Sequence, residues 1–176
     1  MDADNTLIRP FREEDAQTIA EIYNETISAG DASMDRVAKT AQDILGWQRD
    51  FNERECMLVL ELDGETAGWG IIKRYSDRLA YSVACETAVY LRRSLRRRGL
   101  GTLLKRHVIE KCRDLGYHHL VAKIFANNQA SIGYNLALGY ELVGIQREIG
   151  WLDGHWQDVA ILQLILDDVP PAAARP

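Results

Sequence analysis

The chain has 176 residues, 47% of them apolar, and a formal net charge of −5. That length supports one substantial core, so a single domain over residues 1–176 is expected. No uninterrupted apolar run of about 18 residues occurs, and the opening MDADNTLIRPF lacks the basic-then-apolar layout of a signal peptide, which points to a soluble cytoplasmic protein without a membrane partner.

Cys56, Cys85 and Cys112 are odd in number and form no CxxC pattern, so neither a disulfide framework nor a zinc site is suggested. His107, His118, His119 and His155 have no ligand spacing, and no metal is expected. The acidic balance argues against nucleic acid as a partner, although five arginines fall between Arg92 and Arg98. Alone, that run fits a solvated face or a nuclear-localisation-like stretch; its neighbours must decide.

In chain order, the acids after Pro10 and the recurrence of Ala16, Ile19, Ala20 and Tyr23 predict a first amphipathic helix. Residues 28–33 are small and polar and read as a loop. Thr40 followed by Asp43, with Ile44, Trp47 and Phe51 behind it, predicts a second helix. Residues 56–62 and 66–73 are strand-like and joined through Asp63-Gly64-Glu65, a hairpin signal. Residues 81–91 read as a strand long enough to hold a bulge. Leu100, Leu103, Leu104, Val108 and Cys112 mark a helix closed by Gly116. A short strand over 119–125, a helix over 130–138, and strands over 140–148 and 156–166 joined at Asp153-Gly154 complete the pattern. Residues 167–176 are expected to be a disordered tail. The order predicts an α/β chain of the mixed α+β kind, with a mixed, largely antiparallel sheet of six to seven strands and helices on both faces.

The segment Arg96-Arg97-Arg98-Gly99-Leu100-Gly101 lies between a strand and a helix start. There, unpaired backbone N–H groups and the helix dipole converge on one point, which suits a phosphate. Gly99 and Gly101 admit a close ligand, and the arginines add charge-assisted bonds. No Gly-Lys-Ser/Thr follows, which excludes a P-loop, and Leu104 stands where a dinucleotide fingerprint needs its third Gly.

With Arg96, Gly99 and Gly101 matching its pyrophosphate-loop pattern, the chain resembles the GNAT acetyltransferase superfamily. Within it the chain is similar to the phosphinothricin acetyltransferase-like branch, through Arg78-Leu79-Ala80-Tyr81, Glu86-Thr87-Ala88-Val89-Tyr90, Asn128 to Ile132, Leu138-Gly139-Tyr140 and Gly154 to Val159. The match spans roughly residues 7 to 166. It implies acetyl-CoA as cosubstrate and a homodimer. It also implies that main-chain groups of Val89, Tyr90 and Leu91 hold the pantetheine and that the amides of Arg97, Arg98, Gly99, Leu100, Gly101 and Thr102 hold the pyrophosphate. Asn128 bonds the pantetheine arm, and Ser131 belongs to the same set. Asn127-Asn128, read without that context, would suit any turn.

Acetyl transfer requires a neutral amine, and an aliphatic ammonium near pKa 10 needs a base at neutral pH. Glu86 is the candidate; it shares one strand face with Ala88 and Tyr90, and the matching Glu of the branch has that role. A lone Glu would otherwise read as an exposed sheet residue. A backbone N–H freed by a bulge near Val89 to Leu91 would serve the oxyanion. The general acid stays unassigned: Asn135 stands where relatives carry Tyr or His, and Tyr134 is one residue off. Double displacement through Cys85 lacks a partnered His. The resemblance places Arg78 and Tyr81 near the acceptor, favouring a small amino acid or an analogue of phosphinothricin, methionine sulfone or methionine sulfoximine. Trp156 and Asp158 belong either to an acceptor or dimer surface or to core and turn packing. A peptide acceptor and a noncatalytic acyl-CoA sensor are the rival readings.

Overall fold

The computed structural model describes residues 5–171. Seven strands form one sheet: β1 (Thr6–Pro10), β2 (Cys56–Leu62), β3 (Glu65–Arg74), β4 (Ala84–Leu91), β5 (His119–Phe125), β6 (Glu141–Leu152) and β7 (His155–Ile165), in the order β1-β2-β3-β4-β5-β7-β6. Helices α1 (Ala16–Ala29) and α2 (Ala41–Asp50) cover one face, where Ile19, Ile22 and Ile44 pack on Met57, Val59 and Trp69. On the other face, α3 (Leu100–Asp114) sets Leu104, Val108 and Cys112 against Leu58, Leu60 and Leu120, with α4 (Gln129–Ala137) beside it. Because both faces are covered, β2 reads as a nearly continuous apolar run rather than an alternation. The expected mixed sheet with helices on both faces is what the chain forms.

The hairpins follow their turn chemistry. Asp63-Gly64 and Asp153-Gly154 both take positive φ at the two central positions, matching the twist of the flanking strands. Gly116, at φ 77°, closes α3, and the Tyr117 N–H donates to the Cys112 carbonyl at 2.9 Å.

Several element boundaries change. Residues 6–10, read only as the lead-in to α1, pair with β2 as edge strand β1; five residues ending in Pro give too short an alternation to recognise. The strand read from 81 begins at Ala84, after a 3₁₀ turn at Leu79–Tyr81. The strand read over 140–148 continues to Leu152, through register shifts at Leu142/Gly144 and Gln146/Gly150 that carry it past Glu148 at φ 53°. Residues 168 and 169 pack on the fold and are not part of a disordered tail: Val169 is buried, Asp168 pairs with Arg113, and His118 Nδ1 meets the Val169 carbonyl at 2.8 Å. Residues 172–176 of that tail, like residues 1–4, lie outside the described residues.

One pairing positions the site. β4 and β5 run parallel, and their ladder has only three register pairs, ending at Glu86 and Val121. β4 stays with β3 as far as Leu91, while β5 stays with β7 as far as Phe125, so the two strands part beyond Glu86. No register shift occurs in the β3–β4 ladder, so the expected bulge near Val89 to Leu91 is absent and the parting takes its place.

Gly68 fixes how closely β3 approaches the free half of β4: a Cβ there would lie 2.7 Å from the Tyr90 carbonyl oxygen and 2.4 Å from Leu91 Cδ2. Gly68→Ala must therefore shift β4. We expect a loss of about 1–3 kcal/mol in chemical denaturation, as for other overpacked sites, together with weaker binding in calorimetry of the CoA that the resemblance implies.

Candidate functional site

The site has three parts, and the first is the start of α3. Gly99, at φ 79°, turns the chain into the helix. The first helical bond at this end runs from the Leu103 N–H to the Gly99 carbonyl at 3.0 Å, so the N–H groups of Leu100, Gly101 and Thr102 have no acceptor within the helix. Arg97 also takes positive φ, 64°, which curls the preceding backbone. The arginine run is anchored from behind. Arg92 faces Glu21 and Glu25, the Arg93 N–H donates to Glu25 at 2.8 Å, and Asp31 accepts from Arg93 at 2.6 Å and from Arg96 at 3.1 Å. Burial opposes ionisation of Asp31, but the two guanidinium hydrogen bonds outweigh it and hold its carboxyl below the usual carboxylate value.

The second part is the wedge between β4 and β5. The Arg92 N–H donates to Ala67 on β3, so by strand alternation the backbone groups of Thr87, Val89 and Leu91 point toward the side β5 has left. Tyr90 differs: its backbone faces β3, and its ring stacks on Trp69 at 4.8 Å and meets Tyr23 edge-on. Asn128 caps α4 by accepting from the Ser131 N–H at 3.1 Å, and its Nδ2 donates to the Asp31 carbonyl at 3.4 Å, tying α4 to the arginine anchor. A cavity of about 50 Å³ lies here, bordered by Asn128, Ser131, Tyr134, Asn135 and Lys105. Tyr134, on the α4 face toward this cavity, has its hydroxyl pushed up by burial. Unpaired donors at a helix start joined to an open strand edge fit a pyrophosphate followed by a slender amide-bearing arm.

The third part is a cleft of about 740 Å³ on the α1–α2 face of the sheet. Glu86 lies in its floor and is ion-paired with Lys123 of β5, while Lys73 sits opposite Glu86 in the β3 register. Tyr23 donates its hydroxyl to Asp35 at 2.8 Å and shares a 2.8 Å hydrogen bond with Ser33; burial pushes that phenol up to about 12. Trp47, Trp69 and Trp151 supply apolar wall.

Arg78 and Tyr81 stand on the exposed connection into β4 and do not border this cleft; Tyr81 packs on Tyr75 at 5.4 Å, and Tyr75 faces Lys123 at 5.9 Å. Trp156 is exposed and meets Trp151 edge-on at 4.9 Å, and Asp158 accepts from the Glu148 N–H at 2.7 Å, satisfying the β6 irregularity. Lys123 and Lys105 were not legible as site residues. Lys123 lies within the short strand expected over 119–125, where no local pattern marks it out. Lys105 did carry a signal, because with Val108, Ile109 and Cys112 it occupies an i, i+3, i+4, i+7 stripe that is otherwise apolar. Among the described residues, no group of three or more His, Cys, Asp or Glu could hold a metal ion, and no helix is long and apolar enough to cross a membrane.

A layered α/β sheet opened between two parallel strands, beside a helix start with free amides, is an architecture that suits an acyl transferase. The chain belongs to the acetyltransferase (GNAT) family, whose model matches residues 16–140. It is 29% identical over 170 residues, 96% of this chain and 93% of the other, to phosphinothricin N-acetyltransferase of Streptomyces viridochromogenes. It is 30% identical to the L-amino acid N-acyltransferase MnaT of Escherichia coli, over 92% of this chain and 94% of that one. The phosphinothricin acetyltransferase of Sinorhizobium meliloti, solved in complex with acetyl-CoA, superposes with a TM-score of 0.88 at 25% identity, over 97% of this chain and 92% of that one. The protein is an acetyl-CoA-dependent acetyltransferase with the GNAT fold.

Asp31→Asn should loosen the arginine anchor and raise the CoA dissociation constant about 3- to 10-fold at neutral pH, a size suited to partly exposed ion pairs. Since Asp31 is held below the usual carboxylate value, its pairing is complete above that value and is lost as pH falls through the lowered one. The difference between wild type and variant, followed by calorimetry, should therefore vanish at acid pH.

Proposed function

We propose that this enzyme, acting in the cytoplasm as a single domain, transfers acetyl from acetyl-CoA to the primary amine of a small amino acid or analogue of the phosphinothricin, methionine sulfone or methionine sulfoximine type. One observation carries the reading: Glu86 is the last β4 residue paired with β5, so its carboxylate stands where the open strand edge meets the 740 Å³ cleft. The donor is held along Val89 to Leu91, by the amides of residues 97–102 and by Asn128 and Ser131, and supplies the acetyl group as a thioester. Glu86, oriented by Lys123, takes a proton from the acceptor ammonium, and the amine attacks directly in a ternary complex. The Val89 N–H, turned toward the wedge, faces the region where charge develops on the carbonyl oxygen.

The cleft supports an acceptor carrying both charges. Lys39, Lys73 and Lys123 border it together with Asp35 and Glu86, a mixture that suits an amino acid better than a simple amine. The names of the relatives point to the same class. Arg78 and Tyr81 stand on the adjoining connection outside the cleft lining, and the resemblance is what supports a role for them toward the acceptor's carboxylate or phosphinate. Glu86→Gln should lower kcat by about 10²-fold or more while leaving CoA affinity unchanged; full turnover across pH would remove Glu86 from the role. A thiol-release screen over free amino acids, the three analogues, polyamines and peptides identifies the acceptor, and turnover confined to peptides would displace the small-molecule reading. On the best acceptor, Arg78→Ala should raise KM and spare kcat.

We also propose a homodimer built on β6. This twelve-residue edge strand exposes Leu142, Val143, Ile145, Ile149 and Trp151, beside Trp156, a row too long and apolar for a free edge. Charged replacement of Val143 and Ile145 together should convert the sedimenting species from dimer to monomer without unfolding it. A wild-type chain that sediments as a monomer would end the proposal.

A further inference from the structure

Lys105 is an ammonium buried without a carboxylate. It is 1% exposed, and among the described residues its Nζ donates to the Thr87 hydroxyl at 2.7 Å and the Thr87 carbonyl at 3.3 Å and lies over the Tyr140 ring at 4.9 Å. Every partner is neutral, an arrangement that costs stability and that a Leu or Met on the same helical stripe would avoid. Lys105 also borders the 50 Å³ cavity beneath the parted strands. Across that cavity Asn135, 1% exposed, donates to the Ser131 carbonyl, while its Oδ1 has no hydrogen-bond partner among the described residues. A buried cation with a third N–H to give and a buried acceptor with none to receive thus share one small space at the open edge of β4.

We propose that Lys105 delivers the proton required by the departing CoA thiolate, and that the short Asn135 side chain leaves the space through which it does so. The inference rests on the direct attack argued above. The amine nitrogen bonds to the acetyl carbon and gives up two protons in all, the first to Glu86. The C–S bond breaks with its electron pair going to sulfur, and an Nζ–H proton of Lys105 passes to that sulfur. Solvent recharges Lys105 and receives both protons from the nitrogen, so the net release is one proton per amide formed.

Besides Asn128, Ser131 and Asn135, the polar and titratable groups around this space include Thr87 and Cys85 on β4, Cys112 on α3, Tyr134 on α4, Tyr140 ahead of β6 and Lys123 on β5. Burial lowers the Lys105 ammonium to about 8, close to the range where proton transfer to a thiolate is efficient. Rising pH discharges it, so kcat should fall on the alkaline side.

The test follows the thiol of bound CoA by thiolate ultraviolet absorbance against pH, with Lys105→Met and Lys105→Arg beside the wild type. In the wild type the bound thiol should ionise at lower pH than free CoA. Lys105→Met should abolish that shift, melt no lower than wild type, keep the KM for acetyl-CoA, lose the alkaline limb and lower kcat about 10²-fold. Lys105→Arg should keep the shift yet lose kcat, since a guanidinium does not release a proton in this range. A bound thiol that titrates as in free solution overturns the proposal even if Lys105→Met fails to fold, and so does a Lys105→Met enzyme with full kcat and an intact alkaline limb. The thiol titration does not depend on Glu86: if Glu86→Gln proved fully active, the base would fall and the titration would still report on Lys105.

Discussion

The parting of β4 from β5 after Glu86 is the constraint on which the rest of the molecule depends. Each strand is held on its far side, β4 by β3 and β5 by β7, and the twist of the sheet carries the two away from one another. A parallel ladder that stops in mid-strand leaves backbone donors and acceptors without partners, which a core cannot leave unsatisfied. An amide-bearing ligand arm, as proposed for the donor, would complete the sheet there. The same opening has the arginine-glycine loop at one end of the gap and Glu86 at the other, which is why the proposed donor site depends on a single break in pairing.

Electrostatics at the phosphate end is indirect. The arginine run looks like a cationic surface, yet Glu21, Glu25 and Asp31 of α1 and its following loop take up Arg92, Arg93 and Arg96. These pairs hold the loop beside the free amides of α3, which are the groups suited to an anion. An acidic chain can therefore present anion-ready amides without a broadly basic face.

Two lysines near the reacting end show how partner chemistry sets what a cation can do. Lys123 is partly exposed and its ammonium is ion-paired with the Glu86 carboxylate. Lys105 is buried among neutral groups, so its charge is held weakly and its proton can be given up. Both reach the wedge, one from β5 and one from α3.

Much of this was determined by the sequence alone, because it rests on local chemistry. The i, i+3, i+4 stripes of α1 to α3, the Asp-Gly hairpins, the Gly116 stop and the strand-to-helix setting of Arg96 to Gly101 are written in neighbouring residues, and they led to the sheet, its helices and the acetyl-CoA family. Edge strand β1 and the full length of β6 were not legible, since a five-residue alternation and a strand interrupted at Gln146 to Gly150 carry no clear period. Only tertiary structure decided that backbone is freed by parting strands and not by a bulge, because ladder length depends on partners from β5 and β7, remote in sequence. Only it joined Lys123 to Glu86, Asp31 to the arginines, and Lys105 to Thr87 and the space beside Asn135. Each of these pairs spans 18 residues or more, beyond the reach of any local pattern.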